Sequence, residues 1–206
     1  MNQQKKMIFI PMYNCEQQIG RVLNKINNDV CNNFDKILIV DNGSTDNGVT
    51  VAKELLKKIN GISSTIVKNS DNYNLGGSHK VAFNYAVDNN YDFLVVLHGD
   101  DQGDINDVLP IFGSDDYKKL DCVLGSRFMN DSKLKGYSKF RIYGNICINL
   151  VASVICRRFI KDMGAGLNLY NVDMLKNKFY LDFPNGLTFN YYLLFYTAAK
   201  KLKFKF

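Results

Sequence analysis

An α/β fold, a mostly parallel sheet with helices on both faces, is what the sequence predicts. Three observations point to it. Apolar runs of strand length alternate with helix-length segments, and the early runs are almost continuously apolar. Strands buried on both faces read that way, and linking them through helices makes neighbours parallel. Three of the runs also break abruptly into polar clusters: PMYNCE (11–16), DNGSTD (41–46) and HGDDQGD (98–104). In open α/β sheets, ligands bind beyond the carboxyl ends of the strands, so these clusters belong along one edge.

The elements follow in order. MIFIPM (7–12) reads as a first strand, followed by a helix over about 16–28. KILIVD (36–41) is a second strand, and a helix near 46–59 can be capped by Ser44, Thr45 or Asp46. STIVK (64–68), a helix near 78–89 and FLVVLH (93–98) continue the alternation. A helical stretch over 104–112 leads to a strand at DCVLGS (121–126). The segment 139–159, KFRIYGNICINLVASVICRRF, is of helix length, largely apolar and flanked by basic residues. It suits either a buried helix or one lying in a membrane interface.

With 206 residues, no internal repeat and no Pro/Gly-rich linker, the chain reads as one domain over 1–206. Its ending KLKFKF resembles a strand cut short, which suggests a C-terminally truncated catalytic domain. Five scattered cysteines without a C-x-x-C pair point to reduced thiols and a cytoplasmic setting. The N-terminal apolar run is too short for a signal peptide, and no stretch approaches the roughly 20 apolar residues of a bilayer span. Charge is divided unevenly. Residues 1–131 carry 13 Lys/Arg against 17 Asp/Glu, whereas residues 132–206 carry 13 against 3. A basic half suits an anionic partner, phosphate or membrane surface. It contains no recognised nucleic-acid module, so no nucleic acid is expected.

The polar clusters carry the candidate chemistry. Pro11 stiffens the end of the first strand, and Tyr13 offers a ring for stacking a planar base. Asp41 ends the second strand before the tight turn Asn42-Gly43-Ser44 and can face a ligand above the sheet. Asn74-Leu75-Gly76-Gly77-Ser78 lets backbone approach a ligand closely, but it is neither a dinucleotide fingerprint nor a Walker loop. By itself, HGDDQGD is either an acidic turn or a cation site.

Taken together, IPMYNCEQQI, IVDNGSTDNG, NLGGSHKVAFNYA, LVVLHGDDQ, VLGSRF and DMGAGLNLY resemble family 2 glycosyltransferases of the GT-A fold. They occur in that family's order over about residues 6–206 and are most similar to the branch of dolichol-phosphate mannose synthase and bacterial polyprenyl-phosphate sugar transferases. The resemblance implies a nucleotide-sugar and cation half over about 6–126 and an acceptor half over about 127–206. It implies that Pro11, Tyr13, Glu16, Asp41, Ser44, Asn74 and Gly76 bind the nucleotide, with Asp41 on the base or ribose. Asp100 and Gln102, with His98, would hold Mg²⁺ or Mn²⁺ against the diphosphate of a UDP- or GDP-sugar. A cation is required there because carboxylate and diphosphate repel one another.

The family's common Asp-x-Asp-x-Gln pattern becomes His98-Gly99-Asp100-Asp101-Gln102 here. If the segment stays extended, His98, Asp100 and Gln102 share one side and Asp101 faces the other. His98 then has three possible parts: cation ligand, hydrogen-bond partner of phosphate or ribose, or a structural residue closing the strand. Asn168 stands where the family usually has an arginine.

For the acceptor, a sugar hydroxyl needs a general base, whereas a phosphate is already ionised and needs cations to hold it. The second half has few carboxylates. Arg127 and Arg141 match arginines that bind the acceptor phosphate in the polyprenyl branch, a task suited to guanidinium. An ordinary surface or ion-paired arginine is the alternative for Arg127. Asp162 would either support the site or act as base. The expected function is inverting, metal-dependent sugar transfer to a polyprenyl phosphate, with peripheral contact at the cytoplasmic membrane face. The alternatives are transfer to a sugar hydroxyl in surface-polysaccharide synthesis, or an inactive nucleotide-sugar-binding remnant.

Overall fold

The computed structural model describes residues 4–128 and 139–206, with side chains in the second segment described from residue 142. Seven strands form one sheet: β1 (Lys6–Met12), β2 (Lys36–Asp41), β3 (Ser63–Lys68), β4 (Phe93–Leu97), β5 (Cys122–Leu124), β6 (Leu167–Asn171) and β7 (Phe204–Lys205). The helices are α1 (Glu16–Asn24), α2 (Asn28–Asn33), α3 (Gly48–Leu56), α4 (Asn74–Asp88), α5 (Lys139–Cys156) and α6 (Phe189–Ala199), with 3₁₀ turns between. The sheet order is β3-β2-β1-β4-β6-β5-β7.

The expected parallel region is β3-β2-β1-β4. Its strands alternate between two cores. Met7, Phe9, Leu38, Val40, Leu94 and Val96 enter the core under α4 and α6. Ile8, Ile10, Ile37, Ile39, Phe93, Val95 and Leu97 enter the core under α1, α3 and the 105–113 turn. Both faces are dry, which explains the continuous apolar runs.

Two elements differ from expectation. The segment 104–112 forms 3₁₀ turns (Ile105–Gly113), with Pro110 inside and Asp104 capping the start; proline lacks the N–H that an α-helix interior uses. Helix α4 begins at Asn74, so NLGG is its first turn. The sheet is mostly parallel, as expected, with β6 the strand that runs antiparallel to both β4 and β5.

That reversal positions the site. Parallel register aligns Met12 with Asp41 and Asp41 with Lys68, so the loops after β1, β2 and β3 leave from one edge. Antiparallel β6 starts where β4 ends, with Leu167 opposite Leu97. The segment before β6, 162–166, therefore meets the loop after β4. Strand β5 ends opposite Asn168, which delivers 125–128 to the same place.

Candidate functional site

The edge is built by loops that fasten to one another. The backbone N–H of Asn14 donates to Ser44 Oγ at 3.0 Å, and Thr45 N–H donates to Asn14 Oδ1 at 2.8 Å. Asp46 accepts from the backbone N–H of Glu16 at 2.8 Å and of Gly48 at 3.0 Å, so one carboxylate caps both α1 and α3. Glu16 reciprocates through Asn47 N–H at 3.1 Å. These bonds satisfy donors that helix N-termini otherwise leave open. Ser44 and Glu16 thus spend their side chains on loop geometry, and of the three candidate caps for α3 it is Asp46 that bonds.

Tyr13 is half exposed above this frame, while Pro11 is buried and its carbonyl accepts from Gly99 N–H at 3.3 Å. Asp41 is fully buried: Oδ1 accepts from Ser44 N–H at 3.1 Å, and Oδ2 has no hydrogen-bond partner. Beside it, Asn42 Oδ1 accepts from Asn69 Nδ2 at 2.9 Å and from Tyr73 N–H at 3.0 Å, tying the 69–73 segment to the edge. Asn74 is exposed at a left-handed φ of 56°. The glycines of α4 admit the protein's own chain. Gly76 N–H donates to Asn185 O at 2.7 Å, and a Cβ on Gly76 would lie 2.8 Å from Asn185 backbone.

The segment after β4 is a turn, not an extended strand. Asp101 takes a φ of 64°, and Gln102 N–H donates to Asp100 Oδ1 at 3.2 Å. Asp100 and Gln102 are exposed; Asp101 is turned toward α1, where it pairs with Arg21 at 2.7 Å and Lys25 at 2.8 Å. Burial pushes the Asp101 carboxyl up, but the hydrogen bonds and charges of Lys25 and Arg21 together outweigh it and hold the pKa below its ordinary value. Asp100 and Asp101 point in different directions, by a turn and not by strand alternation.

His98 donates its backbone N–H to Gly166 O at 3.0 Å, and a Cβ on Gly166 would touch the imidazole at 2.8 Å. Its Nε2 is buried without a hydrogen-bond partner. Burial lowers the pKa of His98; nearby Asp100 opposes this and Arg127 reinforces it. The second histidine, His79 on α4, lies 6.1 Å away ring to ring and is wholly buried, with Nδ1 2.9 Å from Leu75 O. A carbonyl only accepts, so Nδ1 carries the proton there.

Opposite, Arg127 and Asp162 form a bidentate pair: Nε to Oδ2 and Nη2 to Oδ1, each 2.8 Å, with Arg127 N–H adding a third bond at 2.9 Å. The Asp162 side chain is 1% exposed and that of Arg127 is 22% exposed. Gly164 contributes its N–H to Asp162 at 2.9 Å, and a Cβ there would sit 2.8 Å from the guanidinium. Asn168 is buried, accepting from Gly125 N–H at 3.1 Å and donating to Ala165 O at 2.9 Å. It joins β5 to the 162–166 loop. Arg141 lies in α5, with its side chain outside the described residues.

Residues 7–179 match the Glycosyl transferase family 2 profile. The chain belongs to that family. It is a glycosyltransferase, and the fold expected from the sequence is the one observed. Over 179 residues this family 2 chain is 26% identical to the UDP-N-acetylglucosamine–dolichyl-phosphate N-acetylglucosaminyltransferase of Methanococcus voltae, covering 82% of this chain and 70% of the relative. In fold it is similar to glucosyl-3-phosphoglycerate synthase from Mycobacterium tuberculosis in complex with Mn²⁺, UDP and phosphoglyceric acid (TM-score 0.70, 16% identity, 98% of this chain and 67% of that one). It is also similar to the mannosyltransferase PcManGT from Pyrobaculum calidifontis in complex with GDP-Man and Mn²⁺ (TM-score 0.59, 13% identity, 86% and 48%). The S. aureus TarS 1-349 structure matches with TM-score 0.58 and 19% identity over 85% of this chain, which spans 49% of that chain.

Pro11, Glu16, Asp41, Ser44, His98, Asp100, Gln102, Arg127 and Asp162 all lie on or just beneath this edge, as the strand ends dictate. Gly76 is spent on packing against Asn185. Sequence reasoning named Asp46 only as one of three candidate caps, and missed the parts played by Asn14, Asn42, Gly164 and Gly166. Asp46 carried a local signal, standing two residues before Gly48 at a helix start; Asn14 and Asn42 bond partners 27 or more residues away, and Gly164 and Gly166 make room for the Arg127 and His98 side chains.

Proposed function

We propose that this glycosyltransferase transfers a sugar, with inversion, from a UDP- or GDP-sugar to a polyprenyl phosphate at a membrane surface. The observation that carries this reading is the Arg127–Asp162 pair beside the cation loop. In it the carboxylate before β6 is buried and fully engaged, while the Arg127 side chain keeps part of its surface open. An already ionised phosphate acceptor needs no general base, only a positioned cation. Asp162 is then a support that orients Arg127. The dolichyl-phosphate acceptor named for the Methanococcus relative supports the same class.

On the donor side, Tyr13 stacks the base and Asp41 Oδ2 accepts a hydrogen bond from it. Asp100 is an exposed carboxylate free of ion pairs among the described residues, and His98 Nε2 is a buried nitrogen without a partner. Among the described residues no group of three or more His, Cys, Asp or Glu could hold a metal by itself. That donor set fits Mg²⁺ or Mn²⁺ shared with the donor's diphosphate, since such ions take few protein ligands in phosphate sites. Asp100 and Gln102 would hold the ion with His98; when bound, it neutralises charge on the departing nucleoside diphosphate. The acceptor phosphate oxygen attacks the anomeric carbon, and the bond to the diphosphate breaks with its electron pair leaving on the nucleotide.

Helix α5 supports membrane contact. Ile148, Leu150, Val151, Val154 and Ile155 are exposed along it, and Phe159 follows at 75% exposure. Arg158 Nη1 donates to Leu202 O at 2.6 Å, which brings the end of α5 beside exposed Lys201 and Lys203. Apolar area edged by cations suits an anionic lipid interface. Among the described residues no helix is long and apolar enough to cross a membrane.

The test is incubation with radiolabelled UDP- and GDP-sugars, Mn²⁺ and polyprenyl phosphate in detergent. Lipid-linked product is expected. Product only on a saccharide hydroxyl would overturn the acceptor, and donor binding without either product would overturn turnover.

A further inference from the structure

The loop that presents Asp100 is anchored from outside the site. Its neighbour Asp101 takes a left-handed φ of 64°, a conformation that side chains other than Gly, Asn and Asp seldom adopt. Both Asp101 oxygens are taken at the C-terminal end of α1: Oδ2 by Arg21 Nε at 2.7 Å and Oδ1 by Lys25 Nζ, the residue after the helix, at 2.8 Å. Lys25 Nζ also donates to Gly103 O at 3.2 Å and lies 3.8 Å from Asp104 Oδ2. Farther along, Asn106 Nδ2 donates to Lys25 O at 3.0 Å, and Asn27 Nδ2 to Asn106 Oδ1 at 2.9 Å. From 101 to 106 the loop is therefore stitched to the end of α1. Helix α1 is a firm anchor because its other end is capped by Asp46 and buries Ile19, Val22 and Leu23.

Three carboxylates crowd this loop, at 100, 101 and 104, and only Asp100 is left without an ion pair among the described residues. Were Asp101 unpaired, its charge would repel Asp100 and the diphosphate, and the loop would gain alternative turns. The pairing removes both problems.

We propose that Asp101, clamped by Arg21 of α1 and by Lys25 at its C-terminal cap, is the positioning residue of the cation loop and holds Asp100 outward, ready to take a divalent cation with the donor diphosphate. The proposal rests on the donor-site reading above and adds to it a set of residues that touch neither donor nor cation.

Three variants separate its parts. Asp101→Asn keeps the shape and removes the charge. Asp101→Gly keeps the left-handed turn and removes the side chain. Arg21→Gln/Lys25→Met removes the cations and retains their stems. Two readouts are taken on the full chain: amide hydrogen exchange over residues 99–106 without ligand, and Mn²⁺ affinity by electron paramagnetic resonance with UDP and, separately, GDP. All three variants are expected to exchange faster in that loop alone and to bind Mn²⁺ about 10-fold more weakly. Nucleotide affinity without Mn²⁺ is expected to be unchanged. If glycine matches wild type, Asp101 serves only the turn, and the clamp is overturned. Unchanged exchange, or faster exchange with unchanged Mn²⁺ affinity, overturns it too and leaves the donor site standing. A wild-type protein that takes up no Mn²⁺ with either nucleotide overturns both.

Discussion

The parallel region β3-β2-β1-β4 and the mixed region β6-β5-β7 solve different problems with the same sheet. In the first, β1, β2 and β3 each lead into a helix, and β1, β2 and β4 are buried on both faces apart from the leading lysines of β1 and β2. Its loops are fixed by side chains bonded to backbone N–H groups: Asp46, Glu16, Asn14 and Asn42. In the second, strands are short, 3, 5 and 2 residues, and much of α5 faces outward. Among the described residues its functional end is held by the buried Arg127–Asp162 pair, with buried Asn168 beside it. Electrostatic work is concentrated there, whereas in the first region it is spread over many weak bonds. Single substitutions should therefore hurt the two regions differently.

The largest effect is expected from Arg127→Ala. It strands the buried Asp162 carboxylate, and chemical denaturation should show a loss of about 3 kcal/mol. Arg127→Lys should recover part of this; a loss under 1 kcal/mol for alanine would mean that the pair opens readily to water. Asp100→Ala should act the other way round, lowering Mn²⁺-dependent transfer at least about 100-fold with little change in stability, because the side chain is exposed. Unimpaired turnover would remove Asp100 from the cation site.

Acid should find the parallel region's weak point. Burial drives the pKa of His79 down to about 3 from 6.5, so the unfolded chain takes up its proton first as pH falls. Its contribution is fully present above about pH 6.5 and is lost as pH drops toward 3, at up to about 1.4 kcal/mol per pH unit. His79→Phe, in the ring cluster with Phe9, Phe83 and Phe189, should flatten the dependence of Tm on pH between 6.5 and 4.

Smaller effects should come from α5. Gly144 has nothing within 4 Å of where a Cβ would lie, so Gly144→Ala should stabilise by about 0.5–1 kcal/mol. The same change at Gly76 meets Asn185 backbone at 2.8 Å and should destabilise. Val154→Ser/Ile155→Ser should shift stability by less than about 0.5 kcal/mol. The same pair should reduce co-sedimentation with anionic vesicles; undiminished vesicle binding would move the membrane surface elsewhere.

Much of this was legible from residue order. Continuous apolar runs announced doubly covered strands, and polar breaks marked the edge where Asp41 and Asp100 stand. The strand FLVVL, the turn at Asn42-Gly43 and a helix ending near Asp88 each follow from local pattern. Helix α2 and helix α6 did not announce themselves: one is six residues long, and the other is apolar on nearly every side.

By itself the sequence determined the βα alternation, the family and which residue types gather at the strand ends, because period and strand-end polarity are local properties. Only the tertiary structure decided that β6 runs backward, so that Asp162 reaches Arg127 across 35 residues and Gly166 comes to lie against His98. It also decided which of two adjacent aspartates faces outward, because Arg21 and Lys25 sit 80 and 76 residues from Asp101 and meet it only once α1 packs on the sheet. Pairing partners are chosen by packing, and neither spacing nor composition records that choice.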